Sequence, residues 1–471
     1  MALKDGGPRD TPGFLGAISQ RRTAILEALR SRLWPVPALG VVTAVAAGIV
    51  LPELDAALDA HIPPTLSEYL FGGGADAARE VLGAVATSLI TVTSLTFSLT
   101  LITLQLASSQ YTPRLLRTFA ADQFVQRTLA LFLATFVYAL TVLRTVRNDS
   151  DGGAEFVPQI AVTFAYMMAM ASVLALVLFL GHLVRQIRIE TMLNHVRADI
   201  SDTAARMLDR PDETPDRDFA PRPPANAAII TARSPGFLVS VDEKSLLAAA
   251  TDAEVAIWID RPVGSYVVAG MPVAFCWSAD QQGVALDEER LASLSARVAG
   301  ALETGIERTT TQDIGYGLRQ LTDVVIRALS PGVNDPTTAV HGLNTCSAAL
   351  CELAGYRLGQ RILRDGRDIQ RVVVARPDMP ELLDLVCSQA QHYGASDSAV
   401  LERLLTLLRE LAWVVVLPSH RKAVADRLRR LETAAAEQGF DAVDCTRLER
   451  CAQDVRAALE RHWTPTSDAA V

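Results

Sequence analysis

Four long apolar segments dominate the pattern of hydrophobic and polar positions in the first part of the chain. They run from about Trp34 to Leu51, Val81 to Ala107, Phe124 to Val146 and Val157 to Val184. A helix rises about 1.5 Å per residue, so about 20 apolar residues cross a hydrocarbon layer about 30 Å thick. None of the four segments contains Asp, Glu or Lys. The sequence therefore predicts a four-helix transmembrane domain over residues 34–184.

Charged residues in the connections predict how these helices are oriented. Basic residues are concentrated in the N-terminal arm, residues 1–33, and in the loop after the second segment. The connections at 52–80 and 147–156 are net acidic. Since basic loops stay on the cytoplasmic side, both termini are predicted to be cytoplasmic. Apolar residues at near-helical spacing in the arm predict a helix in the cytoplasmic interface, and the length of the arm argues against a signal peptide.

The second apolar segment contains many hydroxyl and amide side chains for a membrane helix. At about 100° per residue, they fall on two opposite stripes of the helix. One stripe comprises Thr87, Thr91, Ser94, Ser98, Gln105 and Ser109. The other comprises Thr93, Thr96, Thr100 and Thr103. Two interpretations are open: both stripes serve helix packing, or one of them faces a water-filled path between several subunits. In the second case, Arg114 and Arg117 would stand at its cytoplasmic mouth.

After the fourth segment, charged and apolar residues alternate as in a globular protein. The fourth helix is predicted to continue to about Leu208 and to be followed by a Pro- and Asp-rich linker, so that residues 185–226 form a helix extension and linker. Short apolar runs between Pro/Gly turns predict a small β module at 227–282. Residues 283–471 have a helical period with one hairpin among the helices. The predicted fold class is a membrane α-helical domain with a cytoplasmic mixed α/β region, in which a small β module precedes a mainly helical domain.

Composition and charge exclude several classes of function. The net charge is −9 over 471 residues, and no run of Lys or Arg is dense enough for a general nucleic-acid binder. All six cysteines lie in the C-terminal half without metal-ligand spacing, which is typical of reduced thiols in a cytosolic core. The usual phosphate-loop, zinc-protease and hydrolase motifs are missing. The sequence therefore predicts no metal, no cofactor and no enzymatic activity.

The densest local motif lies between residues 312 and 338. It predicts two helices joined at Asp335 and Pro336, a good N-cap followed by Pro at the first helical position. One interpretation is a tight structural joint. The alternative is that polar residues of this region gather around a cation, a small ligand or a neighbouring subunit. That candidate polar cluster comprises Asp313, Arg319, Asp323, Asn334 and Asp335.

Three stretches of the sequence carry a resemblance to a known family. They are Gly317 to Leu321 (GLRQL), Ala328 to Pro336 (ALSPGVNDP), and Ser94 to Arg114, which begins SLTFSLT and ends SSQYTPR. The chain resembles the bacterial predicted membrane proteins catalogued as the domain of unknown function 2254 family. The resemblance extends over nearly the whole chain and implies a bacterial inner-membrane protein. It carries over no catalytic or binding residue.

Two functions are compatible with this sequence. Four spans are too few for one subunit to enclose a wide path, so conduction would require a symmetric ring of subunits. The leading hypothesis is a homo-oligomeric channel or pore-like protein, with the hydroxyl-rich second helix near the axis and a cytoplasmic regulatory domain. The alternative is a membrane-anchored scaffold or sensor whose cytoplasmic domain binds a ligand or partner protein. The predicted partners are the lipid bilayer and further copies of the chain, with a small ion or ligand of unknown identity.

Overall fold

The computed structural model describes residues 34–58, 70–110, 122–147, 156–186, 188–210, 221–278, 287–463 and 465. The chain divides into two compact units, Met1–Arg188 and Ile189–Val471. The predicted N-terminal interfacial helix, Arg114, Arg117 and the centre of the linker lie outside the described residues.

The first unit consists of four helices that are long and apolar enough to cross a membrane. They are α1 (Pro35–Leu58), α2 (Ala75–Gln110), α3 (Gln123–Leu143) and α4 (Gln159–Gln186). Helix α1 continues through Pro52 and so ends later than the pattern predicts. Helix α2 has 36 residues and is on the order of 54 Å long, more than a hydrocarbon layer requires. The four predicted apolar helices are confirmed.

Helix α3 lies at the centre of the first unit and packs against the other three helices. In the most apolar 18-residue stretch of α3, 56% of the residues are buried, whereas in that of α4 only 11% are buried. Gly48 of α1 lies so close to α3 that an added Cβ would stand 2.8 Å from the Thr141 side chain. Gly40 likewise lies close to the Ala130 backbone. Small residues on one face of α1 therefore allow the close approach that holds helices together in lipid.

The second unit contains two sheets and nine helices within its described residues. Its helices are α5 (Ile189–Met207), α6 (Glu243–Asp252), α7 (Glu288–Gly300), α8 (Ile314–Ala328), α9 (Pro336–Leu353), α10 (Met379–Gly394), α11 (Ser398–Val414), α12 (Pro418–Ala436) and α13 (Ala442–Leu459). Its strands are β1 (Ala228–Thr231), β2 (Gly236–Val241), β3 (Val255–Ile259), β4 (Tyr266–Val267), β5 (Pro272–Ser278), β6 (Leu302–Gly305), β7 (Arg361–Arg364) and β8 (Gln370–Val374).

The strands form one sheet of order β1-β5-β3-β8-β7 and a second of order β4-β2-β6. Strands β3 and β8 pair in parallel, and the other pairs are antiparallel. The hairpin predicted among the later helices is thus present, but it completes the sheet that β1, β3 and β5 begin. The compact β module expected at 227–282 therefore shares its sheet with strands from the later, mainly helical region. Alternation within single strands does not reveal such long-range parallel pairing.

Helix α8 is the centre of the helical region and packs against α5, α9 and α10. An added Cβ at Gly317 would stand 2.3 Å from Ile200 of α5, and one at Gly342 would stand 2.6 Å from Val325. Glycines thus let two neighbouring helices lie directly on α8.

The continuous helix predicted from the fourth apolar segment to Leu208 is wrong, because α4 ends at Gln186 and α5 begins at Ile189.

Candidate functional site

The two polar stripes of α2 have different environments. Thr93, Thr96, Thr100 and Thr103 are buried inside the first unit and are at most 8% exposed. Each donates its hydroxyl hydrogen to the backbone carbonyl four residues earlier, at 2.6 to 2.9 Å. This stripe is therefore the face with which α2 packs inside its own chain, which is compatible with both sequence interpretations.

The opposite stripe points out of the bundle. Thr87, Thr91, Ser94, Ser98 and Gln105 are all exposed, and the side chain of Ser109 lies outside the described residues. Thr91 Oγ1 donates to the Thr87 carbonyl and Ser98 Oγ to the Ser94 carbonyl, each at 3.0 Å. Exposed apolar side chains flank this stripe on both sides: Ile90, Leu95, Phe97, Leu101 and Ile102. The outer surface of α2 is therefore a narrow polar stripe between two apolar margins.

A buried carboxylate joins the ends of two apolar helices. Asp55, in the last turn of α1, is 4% exposed and accepts hydrogen bonds from the backbone N–H groups of Ile160 and Ala161 at 3.0 and 2.9 Å. These donors belong to the first turn of α4, where a negative charge is stabilised by the helix dipole. Tyr138 of α3 donates its hydroxyl to the Ala161 carbonyl at 3.1 Å. Three helices therefore meet at this end of the bundle.

A histidine and a carboxylate meet at the other end of the bundle. His182 Nε2 lies 2.6 Å from Asp122 Oδ2, and the imidazole ring lies 4.6 Å from the Phe124 ring. The other Asp122 oxygen accepts from the Phe124 and Val125 N–H groups and so caps the start of α3. His182 therefore joins the end of α4 to the start of α3.

The candidate polar cluster in the second unit is divided between the two ends of α8. Asp313 stands at the N-cap of this helix, whereas Asn334 and Asp335 follow its C-terminal end. Fifteen helical residues separate the two ends by on the order of 22 Å. Arg319 and Asp323 lie between them and are half-buried. The five residues therefore do not surround one common ligand.

Asp313 belongs to a compact charged group. Its Oδ2 accepts from Arg308 Nε and Nη2, each at 2.7 Å, and the Arg308 guanidinium also lies 5.2 Å from the centre of the Tyr316 ring. Burial raises the pKa of Asp313 to about 6, although Arg308 acts in the opposite direction. Gly264 has φ +93° and lies against this carboxylate, where a Cβ would collide with Oδ2. This group ties α8 to the turn before β4.

Asp335 caps the next helix. Its carboxylate accepts from the Thr338 N–H at 3.0 Å, and Pro336 occupies the first turn of α9. Hydrogen bonds from the Thr338 side chain and from the Thr338 N–H hold the pKa of Asp335 below its ordinary value. Asn334 adopts a positive φ of 47°, and the Asp335 N–H donates to the Ala328 carbonyl. The predicted tight joint between two helices is thus confirmed.

Comparison with known proteins shows the family of this chain. A family model described as a predicted membrane protein, domain of unknown function 2254, matches residues 30–410. The chain belongs to this family. Uncharacterized proteins of Mycobacterium bovis and Mycobacterium tuberculosis are 35% identical to it over 454 residues, which cover 94% of this chain and 84% of each relative. No solved structure matches the chain.

The family resemblance found in the sequence is thus confirmed, and the structure gives its stretches physical roles in this member of the domain of unknown function 2254 family. Gly317, in GLRQL, permits the α5–α8 contact. The ALSPGVNDP stretch forms the joint between α8 and α9. The SLTFSLT stretch supplies members of both α2 stripes.

Sequence reasoning missed Asp55, Asp122 and Arg308. The sequence predicts that Asp55 lies in the acidic connection at 52–80, whereas α1 continues through Pro52 to Leu58. A signal was present, however, since Asp55 follows Leu51 at helical spacing. Asp122 precedes an apolar run and is the residue type that N-caps prefer. Within the described residues, no group of His, Cys, Asp and Glu is arranged to hold a metal ion.

Proposed function

We propose that the protein is a homo-oligomeric, channel-like protein of a bacterial inner membrane, with both termini in the cytoplasm. The observation that carries this proposal is the outward polar stripe of α2. One chain buries only the Thr93 to Thr103 face of this helix and leaves the Thr87 to Gln105 face outside its bundle.

Lipid offers no hydrogen-bond partner to such a stripe. Hydroxyls can bond to carbonyls of their own helix, as Thr91 and Ser98 do, but Gln105 carries an amide with two donors. A symmetric ring of chains would turn the stripe toward the axis and its apolar margins toward neighbouring chains. Arg114 and Arg117, which follow α2 in the sequence, would stand at the cytoplasmic mouth of such a ring. The second unit would act as a regulatory domain without enzymatic activity.

The first test is assembly and conduction. Detergent-solubilised full-length protein is expected to have the mass of an oligomer, measured by light scattering with correction for bound detergent. Reconstituted into liposomes, it is expected to release trapped ions or small solutes. A monomer that releases neither would overturn the proposal.

The second test separates a water-facing stripe from a packing stripe. The triple variant T91L/S94L/S98L should still assemble but should block flux, because leucine fills and dries the path. The matched control changes three apolar neighbours on the same outer surface, in the variant I90L/L95I/L101I, and should conduct normally. Loss of assembly in the first variant would instead assign the stripe to helix packing.

The alternative is a membrane-anchored scaffold or sensor. It is favoured by an apolar cleft of about 260 Å³ between α11, α12 and α13. Leu405, Leu431, Phe440 and Leu448 line this cleft, and Glu432 and Glu449 stand beside them. An apolar ligand of the second unit would suit this site. Native mass spectrometry of the full chain, which detects a co-purified small molecule, distinguishes the alternative from conduction.

A further inference from the structure

The second unit exposes a group of large apolar side chains where α11 ends and α12 begins. Trp413 is 40% exposed, and Val416 is 74% exposed. The tryptophan patch, as we call it, comprises Trp413, Val414, Val416, Leu417 and Trp463. Single exposed apolar residues are ordinary, but a contiguous group that includes two tryptophans marks an interaction surface.

Contacts with the rest of the second unit hold the tryptophan patch in place. Val415, in its middle, is fully buried and anchors the segment in the core. Arg461 donates hydrogen bonds to the carbonyls of Trp413 and Val415, which ties the segment after α13 to the end of α11. The two tryptophan rings meet edge to face with centroids 5.5 Å apart. The Arg409 guanidinium lies 4.1 Å from the centre of the Trp463 ring.

Charge near the patch favours an anionic partner. The whole chain has a net charge of −9, yet residues 411–425 contain Arg421 and Lys422 and no acidic residue. Arg409, which is 9% exposed, is neutralised by Asp454 at 3.4 Å. Glu460 and Arg461 cancel each other beside Trp463. Tryptophan beside basic side chains is the chemistry of the interfacial layer of a bilayer, where the ring N–H reaches headgroups and the ring body lies among acyl chains.

We propose that the tryptophan patch docks on the anionic surface of the bilayer in which the apolar helices of the same chain are inserted. This inference depends on the membrane insertion in the proposed function. The apolar helices keep a bilayer within reach of the second unit at all times, so even a weak patch meets lipid at high effective concentration. A soluble partner would have no such advantage.

The test uses full-length protein in lipid nanodiscs that contain phosphatidylglycerol, with brominated lipid as the quencher of tryptophan fluorescence. The chain has five tryptophans. The quenching lost in the double variant W413F/W463F is therefore the part due to the patch. We expect a clear loss in that variant, and the same loss in V416D, whose aspartate would repel the anionic surface. The control I306D changes a side chain that is 94% exposed elsewhere in the second unit and should keep wild-type quenching.

Trp34, at the start of α1, separates failure of this inference from failure of membrane insertion. If brominated lipid quenches Trp34 but W413F/W463F loses nothing, the protein is inserted and the docking proposal is overturned. If quenching by brominated lipid is also unchanged in W34F, Trp34 does not reach lipid. Membrane insertion and the docking proposal are then both overturned. If the tryptophan patch is shielded from aqueous acrylamide in lipid-free oligomers, the patch is a contact between copies of the chain. That result also overturns docking.

Discussion

The buried threonines of the first unit and the buried arginines of the second unit find their hydrogen-bond partners in different ways. In the first unit, buried threonines donate to carbonyls of their own helix, as Thr96 donates to Val92 at 2.8 Å. In the second unit, arginines join separate elements to one another. Arg376 is an example: it donates to the Met207 carbonyl at the end of α5 and forms a 2.6 Å ion pair with Glu243 of α6.

This difference shows where tertiary specificity comes from in each unit. A hydroxyl bonded to its own helix is satisfied whatever that helix packs against, so it adds little preference for one neighbour. Close approach at Gly40 and Gly48 has to specify the packing of α1 on α3 instead. In the second unit, an unpaired buried arginine is costly, so each ion pair selects one arrangement of elements.

The largest expected effect is at Arg376. Its side chain is 9% exposed, and burial lowers its pKa although Glu243 acts in the opposite direction. Replacing it in R376M should cost about 3 kcal/mol of unfolding free energy in the second unit, because the Met207 carbonyl and the Glu243 carboxylate each keep only their second arginine partner, Arg361. All six cysteines lie in that unit, so the labelling rate of buried Cys346 and Cys387 in urea measures its opening.

The control is R429M. Arg429 also pairs with a carboxylate, that of Asp426, but its side chain is 74% exposed. Exposed pairs contribute about 0 to 1 kcal/mol, so its labelling curve should overlay that of the wild type. Equal effects of the two variants would mean that charge pairs in the second unit do not select its packing.

The next effect concerns the α5–α8 contact. G317A places a methyl group where Ile200 now lies 2.3 Å away, and such overpacking should cost about 2 kcal/mol. G300A, at the exposed end of α7 with open space around it, should be neutral or stabilising, since alanine favours helix. Urea midpoints from the same thiol labelling compare the two variants. A neutral G317A would show that α5 moves away freely.

These glycines also show how far sequence reasoning reaches. Apolar length and period predict α1 to α4 and most later helices, because burial against lipid or core imposes a local pattern. The Asp335-Pro336 joint is likewise local. The contact of Gly317 with Ile200 and the pairing of β3 with β8 join residues far apart in the chain, and no local pattern encodes them. Asp313 and Asp335 lie in one dense motif of the sequence, but the 15 residues of α8 separate them in the fold.

The group around Asp313 predicts a pH dependence. Its pKa is about 6 in the folded chain and 3.8 ordinarily, so between these values the folded state binds more protons than the unfolded state. This carboxyl therefore makes unfolding free energy fall as pH rises from about 4 to about 6, by about 2 kcal/mol in all. Urea titrations at several pH values should show that D313N lacks this fall. An identical slope in wild type and D313N would rule out the assignment.

The smallest expected effect tests the first unit directly. Thr135 of α3 donates to its own helix and also lies 3.1 Å from the Ser172 hydroxyl of α4, whereas the hydroxyl of Thr96 bonds to the Val92 carbonyl. T135V should therefore cost about 1 kcal/mol, and T96V about 0.5 kcal/mol or less, because valine keeps the shape and loses only the hydroxyl. Unfolding in mixed micelles with increasing sodium dodecyl sulfate measures both. If T96V cost more than T135V, the inner stripe of α2 would have to bond across helices, and both faces of that helix would be specific surfaces.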